Sequence, residues 1–458
     1  MAERIKVDPL TRIEGHMKAD YSISDNKITG SKLAGTMYRG FESFLKGRHP
    51  FDAVRITQRV CGVCHEVHGV ASCMAVEDLY RIQPPFNGSL LRDIILGLSI
   101  ISDHMIHFYQ LMVPDYVDFS ALSKTSGYFS SSAKAKFITE KELTSNFIDN
   151  YKAAINMRGN LGEALASIGA KTPFCHALLP GGVTTSITPD KLLKIRSVVH
   201  DVYNFLTKTM KSDADILLDY FPEYRYKGIS YGRFISADSF LMLDEPLFKG
   251  GVFSEGVLSA LDTDMIAEVN TSTFITNENL PDPEKKNAYS WIKTPQYNGQ
   301  SFETGPVARA VIKKSKTYFE MCARHKTDPY VSSVATRILS RASESIEIAD
   351  YVSEILNRYR LNESTINNPD LSIMLTGEGT ALSVASRGML YHKTIVKDGK
   401  IEGYNMIVPS TWNFGPGIKE PGIVEGALNG SVIDKEDSSI VAGRIVRSFD
   451  PCVACAVH

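Results

Sequence analysis

The chain has 458 residues, and 50 lysines and arginines nearly balance 52 aspartates and glutamates, giving a formal net charge of -2. Because no basic stripe stands out, the charge argues against nucleic acid as a partner. The length allows a large core, and no repeat, low-complexity tract or linker divides it, so we expect a single domain over residues 1–458. The charged N-terminus lacks the apolar run of a signal peptide or membrane span, so we expect membrane contact only through partners.

The first half of the chain predicts one hairpin and one buried helix. Alternating runs near 20–37 predict the hairpin. Residues 87–112 carry apolar side chains on almost every face, which is typical of a helix enclosed on all sides. Its few polar residues, Asp103 among them, therefore need a partner or a function.

Two further helices and a second hairpin follow. One helix should run over about 188–220 and another over about 328–359, because each range opens with a proline at the first helical position. Short apolar runs on either side of Asp398-Gly399 predict a hairpin over 390–408. Helices dominate, so the fold class is mainly α with small antiparallel sheets.

Four of the seven cysteines form two C-x-x-C pairs, Cys61/Cys64 and Cys452/Cys455, far apart in the chain. This spacing lets both sulfurs of a pair reach one metal ion, and thiolates are ligands that soft metals prefer. A structural zinc site, a redox metal centre and a thioredoxin-like dithiol all remain open at this point. Because small zinc modules keep their pairs about 15 to 20 residues apart, the whole fold would have to close around this metal. The other cysteines lack a partner motif and should be small core residues: Cys73, Cys175 and Cys322.

Several short motifs occur in a fixed order from one end of the chain to the other. Together they resemble the [NiFe]-hydrogenase large subunit. The resemblance implies a long helical bundle with small peripheral antiparallel sheets, in which the N-terminal and C-terminal segments meet at the metal site. The motifs are DPLTRIEGH at 8–16, RGFE at 39–42, the two cysteine motifs, PGGV at 180–183, VPSTWN at 408–413 and FDPC at 449–452.

The resemblance also implies the metals. Nickel would be held by all four paired cysteines, with Cys61 and Cys452 terminal and Cys64 and Cys455 bridging to an iron that carries carbon monoxide and two cyanides. A magnesium ion would lie near the C-terminus, where oxygen-rich coordination suits it. Its expected ligands are Glu42, the carbonyl of Met406, and His458.

Reversible heterolytic cleavage of H2 is the activity that the resemblance implies. Cys452 or Arg387 would take the proton and Glu14, touching the Cys452 sulfur, would carry it away. Asp103 and Asp450 would hold the Arg387 guanidinium over the metals. Without the motifs, Glu14 would be read as a surface or capping glutamate and Arg387 as a solvated arginine.

Other residues match positions that line the family's metal centre. Pro409 and Ser410 would bind the cofactor, Ser410 through a hydrogen bond to a cyanide. His68 would bind a bridging sulfur, and Val63 and Leu390 would line the gas path, although apolar residues are otherwise simply core. The chain departs from the family at Ser386, where proline is usual, and at Val384, where glutamate is usual, so we expect a looser loop and altered cyanide contacts.

Electrons must leave the centre, yet the clustered cysteines are already used there. The resemblance therefore implies an iron-sulfur small subunit, in a heterodimer or a multiple of it, with H2 uptake as the expected direction. A hydrogen-sensing hydrogenase is one alternative. A non-catalytic relative of the quinone-reducing respiratory complexes is another, but such relatives lack the four cysteines. We expect a periplasmic or membrane-peripheral location, by export with the small subunit, and a cytoplasmic one as the alternative.

Overall fold

The computed structural model describes residues 3–119, 136–368, 370, 373–433 and 438–458. Long helices form its centre, where α10 packs against α4, α6, α8 and α9, and α4 also packs against α5. Nearly every side chain of α4 and α10 is buried, as apolar residues on most faces require. The helices are α1 (Phe41–Phe44), α2 (Asp52–Thr57), α3 (His65–Tyr80), α4 (Phe86–Met105), α5 (Lys141–Gly169), α6 (Pro189–Phe205), α7 (Lys211–Tyr220), α8 (Pro306–Lys313), α9 (Lys316–Arg324), α10 (Val334–Leu356), α11 (Pro409–Phe414), α12 (Ile423–Leu428), α13 (Ser438–Ser448) and α14 (Val453–Ala456).

Two predicted helices are confirmed with a local change of winding. Helix α4 continues as a π-helical segment over Ile106–Met112. Helices α6 and α7 form one rod joined by a π-helical segment over Leu206–Met210. The second rod begins as predicted, because the Thr188 side chain accepts a hydrogen bond from the backbone N–H of Lys191.

The predicted start of the third helix is wrong. Helix α10 begins at Val334, where Ser333 and Thr336 form a capping box. The Asp328 carboxylate instead accepts from the backbone N–H of Tyr330, which closes a turn before the helix. The Asp-Pro pair therefore marked a turn and not a helix.

Small antiparallel sheets lie at the periphery, and both predicted hairpins are confirmed. In the second hairpin, Asp398 and Gly399 both have left-handed φ values, 49° and 73°, as a tight two-residue turn requires. The sequence missed β1 and β11, each of which adds a strand to a predicted hairpin. The strands are β1 (Glu3–Val7), β2 (Met17–Ser24), β3 (Lys27–Gly35), β4 (Leu178–Leu179), β5 (Gly182–Val183), β6 (Phe234–Ser236), β7 (Gly251–Ser254), β8 (Val257–Ser259), β9 (Ile266–Glu268), β10 (Pro295–Tyr297), β11 (Gly377–Ala385), β12 (Gly388–Lys397) and β13 (Lys400–Ile407).

The two ends of the chain lie side by side in the core. The backbone N–H of Glu14 donates to Pro451 O at 3.2 Å, and the N–H of Val453 donates to Glu14 O at 2.7 Å. Helix α3, which follows the first cysteine pair, packs against β11, β12 and α4. The fold thereby brings both cysteine motifs to one place. Among the described residues, no helix is both long enough and apolar enough to span a membrane.

Candidate metal centre

The four paired cysteines converge on one point. Their Sγ atoms all lie within 4.8 Å of one another, and all four residues are buried and free of disulfides. The Sγ atoms of Cys61 and Cys452 are 3.4 Å apart, those of Cys64 and Cys455 are 3.3 Å apart, and those of Cys452 and Cys455 are 2.8 Å apart. Buried sulfurs this close suit a shared soft metal, because thiolates are strong ligands for nickel and iron.

Backbone groups stabilise negative charge on this cluster. Cys61 Sγ accepts hydrogen bonds from the N–H groups of Val63 at 3.2 Å and Cys64 at 3.3 Å. Burial opposes ionisation of Cys61, but hydrogen bonds from the other three cysteines and the positive charge of Arg387 hold its pKa well below its ordinary value. The pKa of each of the other three cysteines is raised, so the thiolate, the form that binds metals, is favoured at Cys61.

Glu14 reaches the centre from the N-terminal segment and is partly exposed. Its contacts with the Cys452 region run through the backbones described above, while its carboxyl accepts from the N–H of Gly62. Burial and the nearby Cys61 thiolate raise the pKa of Glu14. Gly15 allows this approach: it has φ 88°, and a Cβ there would lie 2.4 Å from Ala454 N.

The Arg387 guanidinium is fully enclosed between two carboxyl groups. Its Nε donates to Asp450 O at 3.1 Å, and its Nη2 lies 3.1 Å from Asp450 Oδ1. Its Nη1 lies 3.8 Å from Asp103 Oδ2. Burial disfavours the charge, yet the carboxylate of Asp450 and the sulfur of Cys452 raise the pKa of Arg387 above its ordinary value. Nη1 and Nη2 have no well-aligned hydrogen-bond acceptor among the described residues, so these donors suit ligands of a bound metal.

The loop before Arg387 is not loose. Ser386 is fully buried, its hydroxyl donates to Asp103 Oδ2 at 2.8 Å, and its carbonyl accepts from Arg309 at 3.0 Å. Val384 is likewise fully buried at the end of β11. The expected looseness at this departure from the family pattern is therefore not what the structure has.

The remaining predicted lining residues are buried, apart from Val63, which is partly exposed. Ser410 Oγ accepts from the backbone N–H of Cys452 at 3.0 Å, and its hydroxyl can still donate its own hydrogen. Pro409 opens the helix that carries this serine. Val63 lines a cavity of about 280 Å³ that extends to Asp103. Leu390 is fully buried in β12 and belongs to the main core.

Comparison with known proteins decides which family this geometry belongs to. The model of the family described as nickel-dependent hydrogenase matches residues 39–127 and 125–458, which is most of the chain. The chain belongs to the nickel-dependent hydrogenases. Its four buried cysteines are a candidate metal site of a nickel-dependent hydrogenase.

Similar proteins cover the chain along its whole length. The periplasmic [NiFeSe] hydrogenase large subunit of Desulfomicrobium baculatum is 29% identical, and the alignment covers 99% of this chain and 95% of that one. The hydrogenase-2 large chain of Escherichia coli is 27% identical, with 100% and 97% covered. The solved Ni-Fe-Se hydrogenase from D. vulgaris Hildenborough superposes with a TM-score of 0.94 at 29% identity and full coverage of both chains. This protein is accordingly the catalytic large subunit of a hydrogenase, an oxidoreductase that acts on H2.

In this hydrogenase, His68 belongs to a buried chain of polar groups that the sequence did not predict. Its Nδ1 lies 3.2 Å from His392 Nε2, and His392 Nδ1 lies 2.9 Å from the hydroxyl of Tyr404, which donates to Ser72 at 3.1 Å. Burial lowers the pKa of His68 to about 4, so the ring is neutral at pH 7. The predicted contact of His68 is with a bridging sulfur; the contact that the structure records is with His392.

The three predicted magnesium ligands of this hydrogenase lie together. Glu42 Oε1 accepts from the N–H of Met406 at 2.8 Å and lies 3.2 Å from His458 Nε2. The sequence missed Lys293, whose Nζ lies 3.1 Å from both Glu42 and Glu268. Burial alone would raise the pKa of Glu42, but Lys293 and His458 lower it to about 2. One carboxylate, one imidazole and the nearby Met406 backbone are a reasonable donor set for a hard cation.

A second, smaller cavity leads from Glu14 toward the surface of the hydrogenase. It measures about 190 Å³ and is lined by Glu14, His16, Met37 and Arg39, among others. Arg39 fixes its wall, because its guanidinium donates to Ala454 O at 3.0 Å and to the carbonyl of Val60. A protonatable group at the inner end and an opening at the outer end are what a proton exit needs.

Proposed function

We propose that this subunit oxidises H2 at a nickel-iron centre held by its four converging cysteines, and passes the electrons to an iron-sulfur small subunit. The observation that carries the proposal is the buried four-cysteine cluster beside the unsatisfied donors of Arg387. Cys61, Cys64, Cys452 and Cys455 would hold nickel, with iron on the Cys64 and Cys455 side. Carbon monoxide and cyanide on that iron would accept hydrogen bonds from buried donors such as Ser410 and Arg387.

When bound, the two metals supply the Lewis-acid and redox chemistry that polarises H2 and takes up its electrons. The protein must then remove a proton from a buried site. Cys452 is the candidate base, because the raised pKa of Arg387 keeps its guanidinium protonated and without a lone pair to accept a proton. Both residues are held at the centre by hydrogen bonds from the surrounding fold. Asp450 holds the guanidinium from one side, and Asp103 faces it from the other at 3.8 Å.

Glu14 is the proposed proton carrier. Its pKa is raised toward neutral pH, so the carboxyl can both bind and release a proton at the working pH. It stands between the cysteine cluster and the cavity that opens past Arg39. The backbone bridge to the Cys452 segment holds this position, which supports a direct transfer from the centre.

Magnesium is the proposed occupant of the Glu42 cluster. Glu42, His458 and the Met406 carbonyl would bind the ion, with water completing its coordination. The local charge favours a cation, since the two carboxylates of Glu42 and Glu268 lie beside a single lysine, Lys293. The His458 Nδ1 contacts Cys455 O at 2.5 Å, so an ion there would tie the chain end to a metal-binding cysteine.

The partner is proposed to dock beside the proton exit. Exposed Met37 and Phe44 lie there with Arg48, Arg55 and Arg59, and such apolar and arginine-rich surfaces are typical of interfaces. The described residues contain one group of cysteines close enough together to bind a metal, and that group forms the centre itself. Electron transfer onward therefore needs another protein. Relatives are named large subunit or large chain, and one is named periplasmic, which supports a heterodimer exported to the periplasm.

The test is an assay of the purified complex. We expect it to contain a second, iron-sulfur subunit and to reduce a viologen dye with H2 at high turnover. A large subunit that is fully active toward a protein-sized acceptor on its own would contradict the partner. Turnover that is only residual, in a complex with intact metals, would point to hydrogen sensing and contradict H2 uptake as the function.

A further inference from the structure

Ser386 makes a contact that a proline could not make. It lies in the two-residue turn between β11 and β12, immediately before Arg387, and its side chain is fully buried. Its hydroxyl donates to Asp103 Oδ2 at 2.8 Å. Asp103 Oδ2 also lies 3.8 Å from Arg387 Nη1, which is beyond hydrogen-bond distance. The serine therefore binds Asp103, while the guanidinium only faces it.

Asp450 holds the other side of the guanidinium through Nε and Nη2. Nη1 is thus the nitrogen with the weakest tie to the protein. It is buried, and no acceptor among the described residues is aligned with it. A buried donor without an acceptor costs free energy, so something must keep Nη1 from binding the nearest carboxyl oxygen.

The serine itself is fixed from behind by a buried ion pair. Arg309 donates to Ser386 O at 3.0 Å and to Ala385 O at 3.1 Å. The same guanidinium binds the Glu344 carboxylate through Nε at 2.7 Å and Nη2 at 2.6 Å, and His104 contacts that carboxylate at 2.8 Å. This pair therefore fixes the backbone from which the Ser386 hydroxyl reaches Asp103.

We propose that Ser386 is a positioning residue for Arg387: by binding Asp103, it keeps that carboxyl from closing on the guanidinium and leaves Nη1 available to a ligand of the metal centre. The inference rests on the proposed function, because it assumes that Arg387 acts there. Without the hydroxyl, Arg387 Nη1 is the donor beside Asp103 Oδ2. The carboxyl would turn to it and accept its hydrogen bond, and Nη1 would then no longer be available to a ligand of the metal centre.

The protonation of Asp103 is consistent with this arrangement. Burial raises the pKa of Asp103 to about 8, against the attraction of Arg387 and the hydrogen bond from Ser386. The carboxyl is therefore mostly neutral at pH 7. A neutral carboxyl still has an oxygen that can accept from Nη1, so the Ser386 hydroxyl on Oδ2 accounts for the 3.8 Å separation.

The test uses Ser386→Ala and the matched control Ser383→Ala in the purified complex. Ser383 is also a buried serine and lies in β11, three residues before Ser386, so both variants lose a buried hydroxyl from the same part of the chain. We expect Ser386→Ala to keep its nickel and iron but to lose about fivefold in kcat, the equivalent of roughly 1 kcal/mol for one hydrogen bond. Its cyanide infrared bands should shift, while KM for H2 and the control stay unchanged.

A double-mutant cycle separates positioning from a general structural effect. In an Asp103→Ala background, Ser386→Ala should cause no further loss of kcat, because the group that the serine holds is gone. Equal losses in both backgrounds would overturn the proposal, as would a Ser386→Ala variant with unchanged kcat and bands. If the unaltered complex has no cyanide bands or H2 turnover, the proposed function fails; if it has both and the variant matches it, only the role of Ser386 fails.

Discussion

Replacing Arg387 by lysine tests the geometry of the centre while keeping its charge. The guanidinium binds Asp450 through Nε and Nη2 and presents Nη1 separately, whereas an ammonium is a single point charge on a flexible stem. Lysine can satisfy Asp450 or face the metals, but not both. Losing one positioned charged group in a buried site typically lowers turnover by about 10²-fold, or about 2.7 kcal/mol.

The assay is H2 oxidation by the purified complex, with nickel and iron measured on the same sample. Arg92→Lys is the matched control, because Arg92 is equally buried and forms a two-point pair with Glu77 away from the cysteines. We expect the control to lose stability but to keep its activity per nickel. If Arg387→Lys retains nearly full activity with intact metals, Arg387 is only a structural ion-pair partner of Asp450 and its geometry has no part in turnover.

Three further predictions test the proton path and the core. Glu14→Gln should keep the metals but lower proton-deuterium exchange by about 10²-fold or more, since glutamine cannot ionise; undiminished exchange would mean another path. Gly15→Ala should lower the melting temperature and the metal content, because its φ is 88° and a Cβ would lie 2.4 Å from Ala454 N; normal values would refute that close approach. Burial raises the pKa of Asp213 from 3.8 to about 6, so its stabilising effect is present below about pH 4 and is lost as the pH rises through about 6. Denaturant titrations should show a smaller fall in unfolding free energy over that range for Asp213→Asn than for the unaltered protein, and equal falls would contradict this.

Local signals in the sequence were enough for much of the fold. Apolar residues on every face identified the buried helix that contains Asp103, and Asp398-Gly399 identified a tight turn. The Asp328-Pro329 pair misled, because a proline after an aspartate suits a turn as well as a helix start. Helix α5 was missed altogether, since its exposed face leaves few buried apolar positions to reveal it.

The residues of the metal centre likewise fall into those that a sequence motif identifies and those that no motif identifies. The cysteines, Glu14 and Arg387 carry motifs and were identified from sequence. Lys293 and His392 carry none, and their roles come from contacts between segments far apart in the chain. Such pairings are set by tertiary packing, which a single sequence does not reveal.

The departure at Ser386 shows the same limit at a single residue. A serine in place of the family's proline suggested a looser loop, on the ground of backbone freedom alone. The structure adds what the sequence could not: a buried hydroxyl bound to Asp103 and a carbonyl bound to Arg309. Side-chain hydrogen bonds compensate for the freedom that the missing ring would have removed.

The central claim is that the four cysteines hold a nickel-iron centre with diatomic ligands on the iron. Its most direct test is metal analysis combined with infrared spectroscopy of the purified complex. We predict nickel and iron in equal amounts in the large subunit, with absorption bands of both carbon monoxide and cyanide, and loss of these bands in Cys452→Ser and Cys64→Ser. Zinc as the sole metal, or a nickel-containing sample with neither kind of band, would contradict the account.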